Sequence, residues 1–494
     1  MLDCLRIGAD LRGQSAPRNR KRQHVRRPLS LALWSREKLA ACFVLALALP
    51  LVACSPGGSD PADSRPNLLL ITVDALRADH MSLYGYERAT TPELDRWLSR
   101  GRIYERAYSV EANTSPSVAS ILTGLLPQRH RVRLLFQKLG PSIEMLPDHL
   151  RRGGYQTAAV VSNIVLTDEA MGIASRFDHY DDFVDEGKEG WEAFERRASR
   201  TTDSALARLV KDQHVEGPHF LWVHYIDPHG PYDPPPEFQT RFSHERTTPI
   251  NRWRVSAAHR RSGITDGLEY VDRYDEEIAY VDAEIGRLLR GYDRLGFADD
   301  SVILFTADHG ETMMEFERWF AHGYHVYEPI IRVPLAVIGP GIDPAREARP
   351  VSLVSVMPTL LDFAGIEIPA GLDGTSLART PSDVPVFAEA SQGRGLWRAV
   401  IFEDDKWVVH VSKEGELNKR YTHPIDGEAG DRRAAWDSAG APARQLLDLI
   451  ERDPDPGGVP SHLATGMRLE APKIAPDVDE EMLQRLKALG YVDE

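Results

Sequence analysis

Asn67-Leu68-Leu69-Leu70-Ile71-Thr72-Val73-Asp74 is the stretch on which the fold turns. A nearly continuous apolar run of this length, bounded by polar residues, fits a strand buried on both faces of a helix-covered parallel sheet. Thr157–Val161, Phe220–Val223 and Val302–Phe305 read in the same way, and Leu335–Ile338, closed by Gly339-Pro340-Gly341, is another. Helical stretches lie between them. The clearest is Tyr270–Leu295, with Tyr270, Ile278, Val281, Ile285, Leu288 and Leu289 at roughly helical spacing. The alternation predicts an α/β fold, a large and mostly parallel sheet with helices on both faces.

Open parallel sheets bind ligands beyond the carboxyl ends of their strands. Three polar clusters fall there: Asp74 itself, Asp227-Pro228-His229-Gly230-Pro231-Tyr232, and Asp308-His309-Gly310-Glu311. Any one of them fits a cap or a turn, but three carboxylate- and imidazole-bearing strand ends on one rim point to a metal site. Thr114 lies in Asn113-Thr114-Ser115-Pro116-Ser117-Val118, a stretch that resembles the active-site signature of the sulfatases, and on that resemblance it completes a four-ligand set with Asp74, Asp308 and His309. Two carboxylates, an imidazole and an alkoxide suit Zn²⁺ or Mn²⁺ better than Ca²⁺, which favours oxygen ligands alone. Such a cation lowers the pKa of a coordinated hydroxyl and makes Thr114 a candidate nucleophile. Pro116 near a first turn predicts that Thr114 opens a helix, whose terminal N–H groups face an anionic ester. An ordinary capping role is compatible with this one. His229 and His322 are candidates to bind phosphoryl oxygens, protonate a leaving group or hold a second cation. Arg77, three residues past Asp74, either braces the loop or touches substrate. His224 and His325 are read as lying within a strand and within the segment after His322, outside the ligand set.

Length and charge set the frame. A chain of 494 residues with ordinary apolar and charged fractions suggests two to four domains. Ten Lys/Arg against three acids in residues 1–53 leave −22 for the remainder of a chain whose total is −15. So acidic a body is a poor nucleic-acid binder and needs a local positive focus to hold an anionic substrate. Arg18–Arg27 leads into the apolar run Leu39–Ala53, too short to span a membrane and suited to a signal peptide. Leu51-Val52-Ala53-Cys54-Ser55 resembles a bacterial lipobox, followed by a Pro/Gly/Ser/Asp-rich tether. The expected layout is signal peptide 1–53, lipidated tether 54–66, catalytic domain 67–380 and a smaller C-terminal α+β domain 381–494. The expected location is the bacterial cell envelope, membrane-anchored through Cys54. Residues 235–265 are polar and aperiodic, as in a long surface loop near the site. After about residue 380, short β-like pieces (Val384–Phe387, Trp397–Phe402, Trp407–Val411) precede a closing helical pattern, Asp479–Leu489. Cys4, Cys42 and Cys54 all lie in the export segment, so the body can form no disulfide.

These motifs together resemble the sulfatase branch of the alkaline phosphatase superfamily. The likeness includes Asn67–Asp74, Leu83-Tyr84-Gly85-Tyr86, Thr91-Pro92, Leu122-Thr123-Gly124, Asp308–Glu311, Tyr327-Glu328, Arg332-Val333-Pro334 and Leu486–Tyr491. The resemblance implies a metal-dependent ester hydrolase fold, with departures. Thr114 stands where sulfatases carry the cysteine that becomes formylglycine, Val118 where they carry arginine, Ala75 where a second Asp is usual, and His309 where Asn is usual. Each departure is similar to phosphoethanolamine transferases, which pair a threonine nucleophile with Asp-His and His-Gly-Pro segments. A formylglycine hydrate can release sulfate by cleaving its own C–O bond. A threonine ester must instead be resolved by a second in-line attack, a route familiar for phosphoryl transfer. The expected activity is hydrolysis or transfer of phosphate mono- or diesters through a covalent threonine. The alternatives are sulfate ester hydrolysis without formylglycine and a catalytically silent binding protein.

Overall fold

The computed structural model describes residues 65–184, 195–256, 259–379, 384–391, 395–412, 417–422 and 440–453. The run Asn67–Val73 is β1, buried from Leu68 onward. It lies between β5 (His219–Tyr225) and β6 (Ser301–Ala307), parallel to both, with Leu70 opposite Trp222 and Leu304. Both neighbours are buried along their whole length, as apolar strands covered on two faces must be.

Beyond β5 come β3 (Gln156–Val161) and β4 (His179–Asp181), again parallel. On the other side the order is β6, β7 (Arg332–Ile338), β2 (Arg102–Tyr108) and β8 (Ala345–Glu347), and β9 (Val351–Ser352) also pairs with β2. β7 runs antiparallel to both β6 and β2. The segment after β6 stays on the rim where β6 ends, so β7 starts from that same rim and runs back. The sheet is therefore mostly parallel, with one reversed strand.

The helices form two groups, one on each face. One contains α1 (Pro92–Leu98), α4 (Ala198–Asp212) and α5 (Gly267–Arg294); the other contains α2 (Thr114–Thr123), α3 (Leu146–Arg152) and α6 (Val356–Phe363). The Asp266 carboxylate caps α5 by accepting from Leu268 N. Midway along α5, Asp282 accepts the N–H groups of Glu93 and Leu94 and so caps α1 from the side. Among the described residues, no helix is long and apolar enough to cross a membrane.

Four antiparallel strands, β10 (Val386–Ala390), β11 (Gly395–Phe402), β12 (Asp405–Ser412) and β13 (Leu417–Thr422), form the second sheet. α7 (Ala441–Arg452) follows it, a helix absent from the reading of the sequence. Both sheets belong to one compact unit, Ser59–Glu494. Residues 1–64, with the expected signal peptide and most of the expected tether, and the helical pattern Asp479–Leu489 lie outside the described residues. The described part of 235–265 has no helix or strand and is pinned by the bridges Pro249↔Asp266 and Val255↔Trp319.

Candidate active site

The carboxyl ends of β1, β5 and β6 deliver the polar clusters to one rim. Asp74 follows β1, and Ala75 turns the chain with φ 54°, a left-handed conformation unusual for a residue with a Cβ. Hydrogen bonds hold it there. Tyr274 Oη on α5 donates to Ala75 O (2.7 Å) and accepts from Arg77 N (2.9 Å). Ala75 N donates to Asp308 Oδ1 (3.3 Å), which also accepts His309 N (2.7 Å). His309 Nδ1 lies 2.9 Å from Gly310 O. A carbonyl only accepts, so Nδ1 carries a ring proton and Nε2 is the nitrogen presented to the site.

Thr114 opens α2, with Asn113 at the N-cap making no side-chain cap. Its Oγ1 lies 3.2 Å from His309 Nε2 and 3.4 Å from Asp74 Oδ2. Ser117, one turn on, donates to Asp308 O at 2.7 Å and ties the helix to the β6 rim. Val118 is fully buried among apolar neighbours.

Asp74 Oδ1, Asp308 Oδ2 and His224 Nε2 are buried with no hydrogen-bond partner. Leaving such groups unsatisfied costs about 1–3 kcal/mol each. One donor atom from each of Asp74, His224 and Asp308 lies within 4.8 Å of the other two. His309 Nε2 is 3.6 Å from Asp74 Oδ1 and 3.7 Å from Asp308 Oδ2. Donors that converge on one point, yet stand too far apart to bond one another, fit a divalent cation.

Electrostatics agree. Burial raises Asp308, and the adjacent Asp74 charge adds to that, to about 6. Burial would raise Asp74 too, but His229, His224 and His309 outweigh it and hold this carboxyl below its ordinary value. Burial depresses His322 to about 3 and also lowers His229.

His224 was expected to be a strand residue outside the site. It does lie in β5, but opposite Thr72, so its ring reaches under Asp74, with Nε2 3.7 Å from Asp74 Oδ2. Thr72 Oγ1 holds its Nδ1 at 2.8 Å. Asn163, just past β3, was also missed; its Nδ2 donates to Asp74 Oδ2 at 2.6 Å. The strand-end rule that selected Asp74 and Asp308 would have found it.

The remaining candidates separate. The His322 ring centroid lies 4.4 Å from that of His309 and 5.1 Å from that of His229, so both imidazoles border the cation donors. Asp227 instead accepts Ala198 N and caps α4. Of the two roles open to Arg77, the geometry supplies the bracing one: its guanidinium donates to Asp79, Glu315 and Glu311 O. His325 packs on Tyr327 and on Trp397 of the second sheet.

The mostly parallel sheet thus carries a buried Asp/Asp/His rim beside a helix-opening hydroxyl. The sulfatase family model matches residues 66–366, and the chain belongs to that family. It is 27% identical over 406 residues to the choline-sulfatase of Rhizobium meliloti (strain 1021), covering 69% of this chain and 77% of that protein. To the arylsulfatase of Clostridium perfringens it is 26% identical over 381 residues, covering 63% and 78%. Among solved structures it resembles the phosphonate monoester hydrolase from Silicibacter pomeroyi, with a TM-score of 0.63, 23% identity and coverage of 79% and 96%. The phosphonate monoester hydrolase of Agrobacterium radiobacter gives a TM-score of 0.64 at 21% identity, with the same coverage. These solved structures speak to the fold.

Proposed function

We propose that the protein hydrolyses or transfers phosphate mono- or diesters through a covalent phosphothreonine at Thr114. The observation that carries this reading is the Thr114 hydroxyl, 3.2 Å from His309 Nε2 and 3.4 Å from Asp74 Oδ2 in a body without cysteine. Asp74, Asp308, His309 and Thr114 would hold a divalent cation, with His224 beside them. When bound, that cation acidifies the hydroxyl and offsets charge on the ester oxygens.

The Thr114 Oγ1–phosphorus bond forms as the bond to the leaving oxygen breaks. The Thr114 hydroxyl proton passes to Nε2 of His322 or His229, and that imidazole then gives it to the leaving oxygen. Water or an alcohol then attacks phosphorus in line and gives up a proton, breaking the Oγ1–phosphorus bond and restoring the hydroxyl. Two inversions give net retention at phosphorus, and a chiral phosphate ester should show it. Net inversion would exclude a covalent intermediate.

The sulfatases among the relatives favour a second reading, the same attack on a sulfate ester. Aryl phosphate, phosphodiester, phosphonate and sulfate esters offered to metal-loaded protein separate the two, and turnover of sulfate alone overturns the first. No turnover together with no bound metal is the outcome that supports a silent binding protein. Thr114→Ala should abolish turnover and leave the melting transition in place; substantial residual activity removes the nucleophile.

We also propose export and lipid anchoring at Cys54, supported by the apolar run and lipobox-like residues of the sequence. Cys54→Ala should release the protein from membranes, and unchanged membrane association counts against the anchor.

A further inference from the structure

Glu311 is a fully buried carboxylate that neither the cation donors nor the reaction above uses. Burying such a group is costly unless it is hydrogen-bonded, and both of its oxygens are engaged. Oε2 accepts from Tyr232 Oη at 3.0 Å, and Oε1 lies 3.0 Å from His322 Nδ1. Tyr232 is itself wedged between Tyr274 and Phe320, with ring centroids 5.3 and 6.1 Å away.

Three imidazoles, the candidate cation donor His309 and the neighbouring His229 and His322, differ in what holds them. His309 and His229 each place Nδ1 against the carbonyl of the next residue, Gly310 O at 2.9 Å and Gly230 O at 2.7 Å. His322 places Nδ1 against a carboxylate eleven residues away, itself anchored by a tyrosine from a third segment. A nucleophile's proton-handling partner is commonly oriented in this way by a third group.

We propose that Glu311 and Tyr232 are positioning residues for His322. The Tyr232–Glu311–His322 chain keeps a proton on Nδ1 and leaves the Nε2 lone pair toward the reacting oxygens. Nε2 then takes the Thr114 proton and passes it to the leaving oxygen, making His322 rather than His229 the group that handles the leaving-group proton. The proposal rests on the reading of Thr114 as nucleophile, and names which imidazole completes that reaction.

The test combines ¹⁵N-histidine NMR, which reads the His322 tautomer without turnover, with kinetics on esters of p-nitrophenol and of a simple alcohol. In the wild type, His322 should carry its proton on Nδ1. Glu311→Gln keeps an acceptor facing Nδ1 and should preserve both tautomer and rate within about 10-fold. Glu311→Leu should mix the tautomers and lower kcat on the alkyl ester by about 100-fold. The p-nitrophenyl ester, whose leaving group needs no acid, should lose far less, with KM nearly unchanged. Tyr232→Phe removes one anchor without emptying the site, and should shift tautomer and alkyl-ester rate in the same direction. It decides the matter if Glu311→Leu does not fold.

An unchanged Nδ1–H tautomer in Glu311→Leu or Tyr232→Phe overturns the proposal, as does an equal loss on both leaving groups. If the wild type turns over sulfate esters alone, the phosphate reading fails by itself. The tautomer and the same leaving-group contrast on alkyl and aryl sulfates then still decide the role of Glu311.

Discussion

Thr114 and His224 illustrate how differently single residues reveal themselves. Thr114 stood out in the sequence because its stretch resembles a family signature whose cysteine it replaces, and the structure places it at the start of α2 beside His309 and Asp74. His224 was hidden because a histidine inside an apolar strand looks like a packed strand residue. What brings it to the site is its pairing with Thr72, 152 residues away along the chain. Its unpartnered Nε2 makes a specific expectation. His224→Ala should weaken divalent metal affinity by about 10–100-fold, as measured by competition with a chelator. An unchanged affinity would remove His224 from the donor set.

At the scale of elements, each of the five apolar runs became a strand, with β5, β6 and β7 extending two or three residues past the runs, and Asp74 and Asp308 follow the ends of β1 and β6. The shape of the loop after β1 depends on α5. Tyr274 both donates to Ala75 O and accepts from Arg77 N, stabilising a left-handed alanine between Asp74 and the bracing Arg77. Tyr274→Phe removes both bonds from a buried place and should cost about 1–3 kcal/mol in denaturant unfolding. Metal affinity should fall with it, because Asp74 sits on the loop that loosens. Full affinity in a destabilised variant would show that the loop holds its form without α5. The reversal of β7 was not legible, since an apolar run carries no direction. Only the return of the chain to the rim after Asp308 decided it.

At the scale of the whole molecule, charge is buried where the second sheet meets the segment leading to Thr114. Glu389 on β10 is bound by Arg133 Nε (2.8 Å) and Arg398 Nε (3.2 Å), and Asp453 beyond α7 accepts from both arginines. Glu111, three residues before Thr114, accepts Ala112 N (2.6 Å) and Ser391 Oγ (3.0 Å). Burial, together with the charge of Glu389, pushes Glu111 up to about 8. A carboxyl raised from the usual 4.5 stabilises the fold fully below that value, and the contribution is lost as pH rises through about 8. Stability should therefore decline across this window by at most about 1.4 kcal/mol per pH unit. Glu111→Gln should flatten the decline, as followed by melting temperature at several pH values. A variant that keeps the wild-type slope would place the titrating group elsewhere.

The sequence by itself determined the α/β architecture, the rim of the sheet and the residue types gathered there. Apolar runs and the polar residues that end them are local patterns, fixed by burial and by the period of the strand. Tertiary structure decided which of the candidates converge. It brought His224 and Asn163 to Asp74, turned Asp227 to a helix cap, engaged Arg77 as a brace, and joined Glu311 to His322. Each of those outcomes depends on strand register or on contact between segments far apart in the chain. A side chain's role at such a place is set by what faces it across the fold, and its sequence neighbours do not encode that.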